Sequence, residues 1–243
     1  MSPNRTFATS RRVLTQLKHD HRTIGLILFV PSILLIILRY VFDQNFLIFA
    51  LIAPMILGII PFTMMFIVTS VAVLRERTSG TLERLLTSPI SKADIIFGYG
   101  ISFAVLAFAQ ASIASFVTIG LLDVPIRLSE AAVLLVAVLA GVLGMSFGLF
   151  FSSFAKSEFQ AVQFMPAFVL PQFLIGGLFV PRENMAQVLQ WLSDLMPLTY
   201  VIEAMKKVST DASWTSGLTY DLLICVGFIV VALILGAISL RVK

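Results

Sequence analysis

The sequence predicts an all-α integral membrane protein with six transmembrane helices. Of its 243 residues, 58% are hydrophobic and only 12% are charged, which is too little polar surface to cover a soluble globule of this size. The chain contains six apolar segments that are comparable to or longer than the ~20 residues needed to cross ~30 Å of hydrocarbon. They cover residues 24–42, 46–74, 95–122, 131–154, 159–180 and 222–240. We treat residues 1–243 as a single transmembrane domain.

Residues 1–23 form a polar, basic arm ahead of the first apolar segment. Apolar and basic side chains separate onto different faces when the arm is drawn as a helix, as in helices that lie on an anionic cytoplasmic leaflet. The two faces carry Val13, Leu14 and Leu17 on one side and Arg11, Lys18 and Arg22 on the other. The arm is therefore predicted to be a cytoplasmic, interfacial amphipathic helix.

A long polar segment, from Arg75 to Pro89, separates the first two apolar segments (residues 24–74) from the next three (residues 95–180). Leucines recur in it at the i, i+3, i+4 spacing of one helix face, at Leu82, Leu85 and Leu86. Glu83 falls in the first turn, where a negative charge suits the helix dipole, and Pro89 cannot continue the hydrogen-bond ladder. The pattern predicts a short amphipathic helix within residues 75–94.

The run from Glu76 to Ile90, ERTSGTLERLLTSPI, resembles the cytoplasmic signature of permease subunits of type-2 ABC exporters. In that family a short coupling helix at this place docks onto the ATP-binding subunit. The resemblance implies partner-binding roles for Glu76, Gly80, Thr81, Leu82, Glu83, Leu85, Leu86 and Pro89. The alternative is an ordinary amphipathic helix that lies on lipid headgroups. The sequence has Gly98-Tyr99 where the family often has Gly-Lys, so no role of that lysine is transferred.

Residues 181–221 contain an amphipathic run with Trp191 and Tyr200, residue types that anchor at membrane interfaces. Pro166 and Pro171 are expected to interrupt the preceding span. The runs PRENM, LQWLS and PLTY are similar to the segment before the last span in the same exporters, although Ala186 replaces a family-typical proline. We therefore expect an interfacial or re-entrant helical segment on the outer side.

Two further patterns concern the predicted spans. Arg39 and Asp43, four residues apart at the outer end of the first span, are expected to pair on one helix face. The resemblance also allows an outer gate, for which the candidates are Arg39, Asp43, Pro197 and Tyr200. Small residues recur every four positions at Ala140, Gly144 and Gly148, and they favour close approach of another helix, either within the chain or from a second copy.

The distribution of Lys and Arg predicts that both termini are cytoplasmic. With this orientation, twelve of the 17 basic residues lie inside. The remaining five lie outside and are Arg39, Arg127, Arg182, Lys206 and Lys207. The Leu82 helix is then cytoplasmic. The basic residues lie mainly in the segments that connect the apolar runs, so membrane topology explains the net charge of +4. No nucleic-acid partner is expected.

Several chemical functions lack the residues that they need. The sequence has no Gly-x-x-x-x-Gly-Lys-Ser/Thr phosphate loop, so the chain is not expected to hydrolyse ATP. His19 and His21 are two residues apart without a supporting cluster and are expected to be solvated. No catalytic, metal or cofactor-binding residue is therefore assigned. ATP and Mg²⁺ would be used by a partner subunit.

The resemblance implies a plasma-membrane transport subunit that dimerises with itself or a related permease and couples to two ATP-binding subunits. Its substrate would be an amphipathic drug, a lipid or a lipid-linked glycan, exported through a pathway within the dimer. The alternative function is an unenergised membrane scaffold or assembly factor that recruits a cytoplasmic partner through the Leu82 helix. A neighbouring gene for an ATP-binding subunit would distinguish the two functions.

Overall fold

The computed structural model describes residues 3–81 and 91–239, and within these ranges the chain is built from helices without strands. The α-helices are α1 Pro3–His19, α2 His21–Val41, α3 Phe46–Thr78, α4 Lys92–Ser115, α5 Glu130–Ser152, α6 Glu158–Ile175, α7 Gln187–Asp194, α8 Pro197–Thr210 and α9 Ser216–Ser239. A π-helical turn, Phe116–Leu121, extends α4, and a 3₁₀ turn, Arg182–Asn184, precedes α7. The predicted all-α fold class is confirmed.

Five helical segments are long and apolar enough to cross a membrane: His21–Val41, Phe46–Thr78, Ala93–Leu121, Glu130–Ser152 and Ser216–Ser239. These correspond to five of the six predicted spans. The remaining one corresponds to α6, which has 18 residues and is not among the five. Its polar residues Glu158, Gln160, Gln163 and Gln172 lower its hydropathy.

Local sequence signals fix where the helices begin. Side chains of Asp20, Ser91, Ser129 and Ser157 accept hydrogen bonds from backbone N–H groups in the first turns of α2, α4, α5 and α6. These N-caps satisfy donors that have no partner within the helix. The hydroxyl and the backbone N–H of Thr23 both donate to Asp20, which lowers the pKa of Asp20.

Prolines do not end the long helices in this structure. Helix α6 continues through Pro166 and Pro171, so the expected interruption of this segment is wrong. Helix α3 likewise contains Pro54 and Pro61. A proline removes one backbone hydrogen bond and crowds the preceding turn, yet helices in bundles tolerate it because neighbouring groups satisfy the freed carbonyl oxygen.

The core of the bundle is the contact between α3 and α5, the most extensive helix pair in the described chain. A side chain at Gly144 would overlap the carbonyl oxygen of Phe62, and one at Gly148 would overlap that of Phe66. Ala140 is fully buried in the same cluster. The repeated small residues therefore pack against a helix of the same chain, which is the intramolecular alternative.

We call the end of the bundle where α3 ends and α4 begins the proximal end, and the end that carries residues 42–45 and 122–129 the distal end. Helices α7 and α8 form a short hairpin whose second helix packs on α3, α5 and α9. The buried Gln172 side chain of α6 accepts a hydrogen bond from the backbone N–H of Leu198 at 3.1 Å. One otherwise unpaired donor at the start of α8 is thereby satisfied inside the protein.

Candidate functional site

The candidate site is the proximal end of α3, which leads into the polar segment. Glu76, Gly80 and Thr81 belong to the described chain, whereas the predicted contact residues Leu82, Glu83, Leu85, Leu86 and Pro89 lie outside the described residues. Gly80 has a φ of +72°, a conformation that suits glycine because it has no Cβ. The chain therefore turns sharply away from α3 just before the predicted helix.

Three consecutive residues at the end of α3 bind three different parts of the bundle. Arg75 makes two hydrogen bonds, of 2.8 and 2.9 Å, to the carboxylate of Glu158 at the start of α6. Arg77 donates to the backbone carbonyl oxygen of Ser152 at the end of α5. Glu76 faces α1 and α4. The stem of the polar segment is thus attached to the bundle on three sides.

Glu76 lies at the centre of a partly buried polar group. Its side chain is only 12% exposed and accepts a hydrogen bond from Arg12 of α1 at 3.1 Å. The hydroxyl of Tyr99 in α4 donates to the same carboxylate oxygen, and Arg12 also donates to this hydroxyl at 3.3 Å. A charge-assisted bond of this kind is stronger than a neutral one. The group joins α1, α3 and α4 at one point.

Sequence reasoning did not assign Arg12 or Tyr99 to this site. Tyr99 stands at the position where the exporter family often has lysine, and here a phenol takes the place beside Glu76. The available signal was the polar end of a tyrosine in an otherwise apolar stretch, since a buried phenol usually has a hydrogen-bond partner. The position of Arg12 on α1 gave no such signal, because it is surrounded by other basic residues.

Helix α1 packs against α4 through small polar residues. The hydroxyl of Thr6 donates to the carboxylate of Asp94 at 3.1 Å, and the hydroxyl of Ser102 lies 3.0 Å from the carbonyl oxygen of Ser10. A Cβ at Gly98 would lie 2.6 Å from that of Thr9. The predicted apolar face contributes Val13, which is buried. Small side chains therefore permit a close contact that the apolar pattern did not predict.

A cavity of about 340 Å³ opens beside this junction, between α1, the end of α3 and α4. Its wall includes Leu17, Ala72, Glu76, Thr81 and Tyr99. Thr81 is the last described residue before the predicted contact helix. The cavity therefore connects the partly buried Glu76 group to the beginning of that segment.

The four candidate gate residues lie in two separate environments. Arg39 and Asp43 form the expected ion pair, at 3.7 Å, and the Arg39 guanidinium also lies 5.0 Å from the centre of the Phe46 ring. Tyr200 instead donates to the backbone carbonyl oxygen of Asp194 at 2.7 Å, while Pro197 begins α8. The hydrogen bonds and ion pairs of the described chain do not connect these two pairs.

A second charged group lies at the distal end. Arg182 binds Asp194 and Glu203, and Lys207 binds the buried Asp221 of α9 at 2.6 Å. Burial disfavours the charge on Arg182, but its hydrogen bonds to the two carboxylates outweigh this effect, so the pKa of Arg182 is raised. These pairs fix α8 to the 3₁₀ turn, to α7 and to α9.

Metal ligands do not converge in the described ranges. Among residues 3–81 and 91–239, no three His, Cys, Asp or Glu side chains are close enough together to hold a metal ion. The single cysteine, Cys225, is buried within α9. The ion pairs described above connect helices.

Known proteins similar to this chain are membrane transport permeases. The chain is 31% identical over 170 residues to the probable multidrug ABC transporter permease YbhR of Escherichia coli, covering 68% of this chain and 46% of YbhR. It is 30% identical over 144 residues to the inner membrane transport permease YhhJ of the same organism, covering 58% of this chain and 38% of YhhJ. The ABC transporter G family member 20 of Dictyostelium discoideum is 27% identical over 156 residues, covering 64% of this chain and 21% of that protein.

These matches span less than half the length of the relatives. A family model described as ABC-2 type transporter matches residues 4–209, which include the junction around Glu76 and the distal hairpin. With the five apolar helices, the match identifies a multi-pass membrane protein. The chain therefore belongs to the ABC-2 type transporter family.

Proposed function

We propose that this chain is the transmembrane subunit of an ATP-driven exporter in the inner membrane. Two permease chains, identical or related, form the pathway, and two separate ATP-binding subunits hydrolyse ATP with Mg²⁺. The substrate is an amphipathic drug, lipid or lipid-linked glycan. The name of YbhR as a probable multidrug permease supports this class of substrate. The chain itself has no phosphate-binding loop for ATP hydrolysis.

The observation that carries the proposal is the attachment of the α3 stem on three sides. Force from an ATP-binding subunit reaches the spans only if the contacted segment is connected to them by groups that do not yield easily. Glu76 and Arg77 make such partly buried connections to α1 and α4 and to α5, and the exposed Arg75–Glu158 pair adds a weaker one to α6. A displacement of the 82–90 segment would therefore act on several helices together. A segment that merely rested on headgroups would not need these contacts.

The chain is expected to bind an ATP-binding subunit and to control its activity. Co-expression with a candidate ATP-binding subunit, chosen from the genes that neighbour this one, should yield a complex that hydrolyses ATP in lipid vesicles, at a rate that increases when substrate is added. The chain alone should give no hydrolysis above background. A chain that purifies without any ATP-binding subunit, from cells that make both, would favour the scaffold function.

The sixth crossing is assigned to α6. Its 18 residues span about 27 Å at 1.5 Å per residue, slightly less than the hydrocarbon thickness, and apolar residues up to Val180 follow. Its buried Gln172 side chain is paired with the backbone N–H of Leu198 at the start of α8. With six crossings both termini lie in the cytoplasm, the proximal end faces the cytoplasm and the distal end faces outward. The excess of basic residues on the proximal side supports this orientation.

Cysteine labelling tests this orientation. In a Cys225→Ser background, cysteines placed at the exposed positions Ser79 and Asn184 should react with a membrane-impermeant maleimide from opposite sides. Asn184→Cys should label in intact cells, and Ser79→Cys only after the membrane is opened. Cys225 is the single cysteine of the sequence, so its replacement by serine removes the background labelling of this chain. Labelling of both positions in intact cells would contradict the orientation.

A further inference from the structure

The five basic residues on the distal side divide into two groups. Arg39, Arg182 and Lys207 each form an ion pair with a carboxylate. Arg127 and Lys206 form no ion pair with the described residues, and both side chains are exposed. Basic residues are disfavoured on the outer side of a membrane protein. Two basic residues without an ion pair at this end therefore need an explanation, although Lys206 also lines a neighbouring cavity that contains Glu183, Glu203 and Asp211.

These two residues line the same cavity. It has a volume of about 570 Å³ and lies between the distal end of α3, the 122–129 connection and the end of α8. Its apolar wall includes Leu47, Leu51 and Met55, and no Asp or Glu is among its lining residues. The volume falls in the range of cavities that hold small molecules. Its walls combine an apolar surface with two positive charges.

The backbone holds the two basic residues in place. The N–H of Leu128 donates to the carbonyl oxygen of Val208 at 3.2 Å, which attaches the connection to α8. Arg127 precedes Leu128, and Lys206 lies two residues before Val208 on α8. The convergence of the two charges thus follows from the fold.

The apolar wall indicates how an occupant is oriented. Leu47 is 80% exposed and Leu51 is 59% exposed, so the mouth of the cavity has an open hydrophobic surface on the outer side of α3. Such a surface is stable when it contacts hydrocarbon, as it does in a bilayer. A soluble anion would satisfy the charges but leave this surface uncovered. An amphiphile with an anionic head and an apolar chain satisfies both.

We propose that this cavity binds an anionic phospholipid of the outer leaflet. Its phosphate lies between Arg127 and Lys206, and one acyl chain runs along Leu47 and Leu51 towards Met55. The inference goes beyond the transport function. The proposed orientation, with the distal end facing outward, is needed only to say which leaflet supplies the lipid. Lipid binding to the purified chain depends neither on this orientation nor on an ATP-binding subunit.

Photo-crosslinking tests the proposal. The probe is phosphatidylglycerol with a diazirine in one acyl chain, added to the purified chain in detergent, and the adducts are located by peptide mass spectrometry. The wild-type chain should give adducts within residues 46–55, with a phosphatidylcholine probe giving far fewer. Each basic group near a charged lipid contributes roughly fivefold to the binding affinity. R127Q/K206Q should therefore raise the probe concentration that gives half-maximal labelling by about 30-fold.

Three controls make the result specific. The charge-preserving variant R127K/K206R should retain the adducts, which separates loss of charge from loss of fold. R11Q/R22Q removes two exposed charges of the proximal side and should leave the adducts at 46–55 unchanged. Leu51→Ala should reduce them, whereas Leu170→Ala should not, although Leu170 is exposed to a similar extent, 57%.

The following outcomes would overturn the proposal. Adducts at 46–55 that persist in R127Q/K206Q with unchanged half-saturation would show that the two charges do not bind the head group. Equal labelling by phosphatidylcholine would show that the cavity takes any lipid. Competition by millimolar inorganic phosphate as effective as that by unlabelled phosphatidylglycerol would show a site for anions alone. Each of these measurements is independent of ATP hydrolysis. The crosslinking result can therefore be interpreted even if the transport assay fails.

Discussion

Gly144→Val should lower the apparent melting temperature of the detergent-solubilised chain by about 6 °C or more. Overpacking costs about 1–3 kcal/mol where side chains adjust, and one kcal/mol shifts the melting temperature of a protein of this size by about 2–4 °C. Here an added Cβ would overlap the Phe62 carbonyl oxygen and lie 2.8 Å from the Phe62 Cα atom. Backbone atoms move only if α3 and α5 separate, so the loss of stability should be about 3 kcal/mol or more, the upper end of the range for overpacking.

Gly227→Val is the matched control, because Gly227 lies in α9 and a Cβ there would meet no atom within 4 Å. The same glycine-to-valine change should alter the melting temperature by about 2 °C or less, since surface changes typically cost less than 0.5 kcal/mol. Melting is followed by the loss of the monodisperse peak in size-exclusion chromatography after heating. Equal shifts for the two variants would show that the α3–α5 contact does not govern stability.

The spans were predictable because hydropathy, averaged over about twenty consecutive residues, determines whether a segment can cross the membrane. Hydropathy and length located five of them, and the N-cap residues account for boundaries that hydropathy placed less well. Helix α4 begins at Lys92, three residues before the predicted start, because Ser91 and Asp94 form a capping box. Helix α9 begins at Ser216, six residues early, since its first turns are polar and packed against α8.

The junction at the end of α3 was only partly predictable. The Glu76 region was assigned from the resemblance, but the partners of Glu76 are 64 residues before it and 23 residues after it. No periodicity relates side chains that meet through tertiary packing, and α1 approaches α4 through Thr9 and Gly98 without an apolar pattern. Likewise, the cavity beside Arg127 and Lys206 arises where a connection meets a helix. The count of Lys and Arg on each side of the membrane predicted that both residues lie outside, but it did not predict that they line the same cavity.

The Leu82 segment should be the element on which binding of the ATP-binding subunit depends. If it lies in a groove of that subunit, Leu82, Leu85 and Leu86 supply the buried contact, and a few apolar anchors carry most of the binding energy. Leu82→Asp would bury a carboxylate without a partner, which costs several kcal/mol. We therefore expect affinity to fall by about 100-fold or more. Glu83→Gln removes only a partly exposed pair and should cost about 1 kcal/mol.

Thr87→Asp is the matched control, because it adds the same charge to the same segment on the polar side of the predicted helix. Leu82→Asp should still insert and retain its melting temperature, since the Glu76, Arg12 and Tyr99 group that fixes the stem is left intact. Binding is measured by co-purification with the ATP-binding subunit, and coupling by substrate-stimulated ATP hydrolysis in lipid vesicles. Leu82→Asp should lose both, while Thr87→Asp should keep them. If Leu82→Asp inserts normally and keeps binding and stimulation, force reaches the α3 stem through another surface, and the exporter mechanism proposed for this segment is wrong.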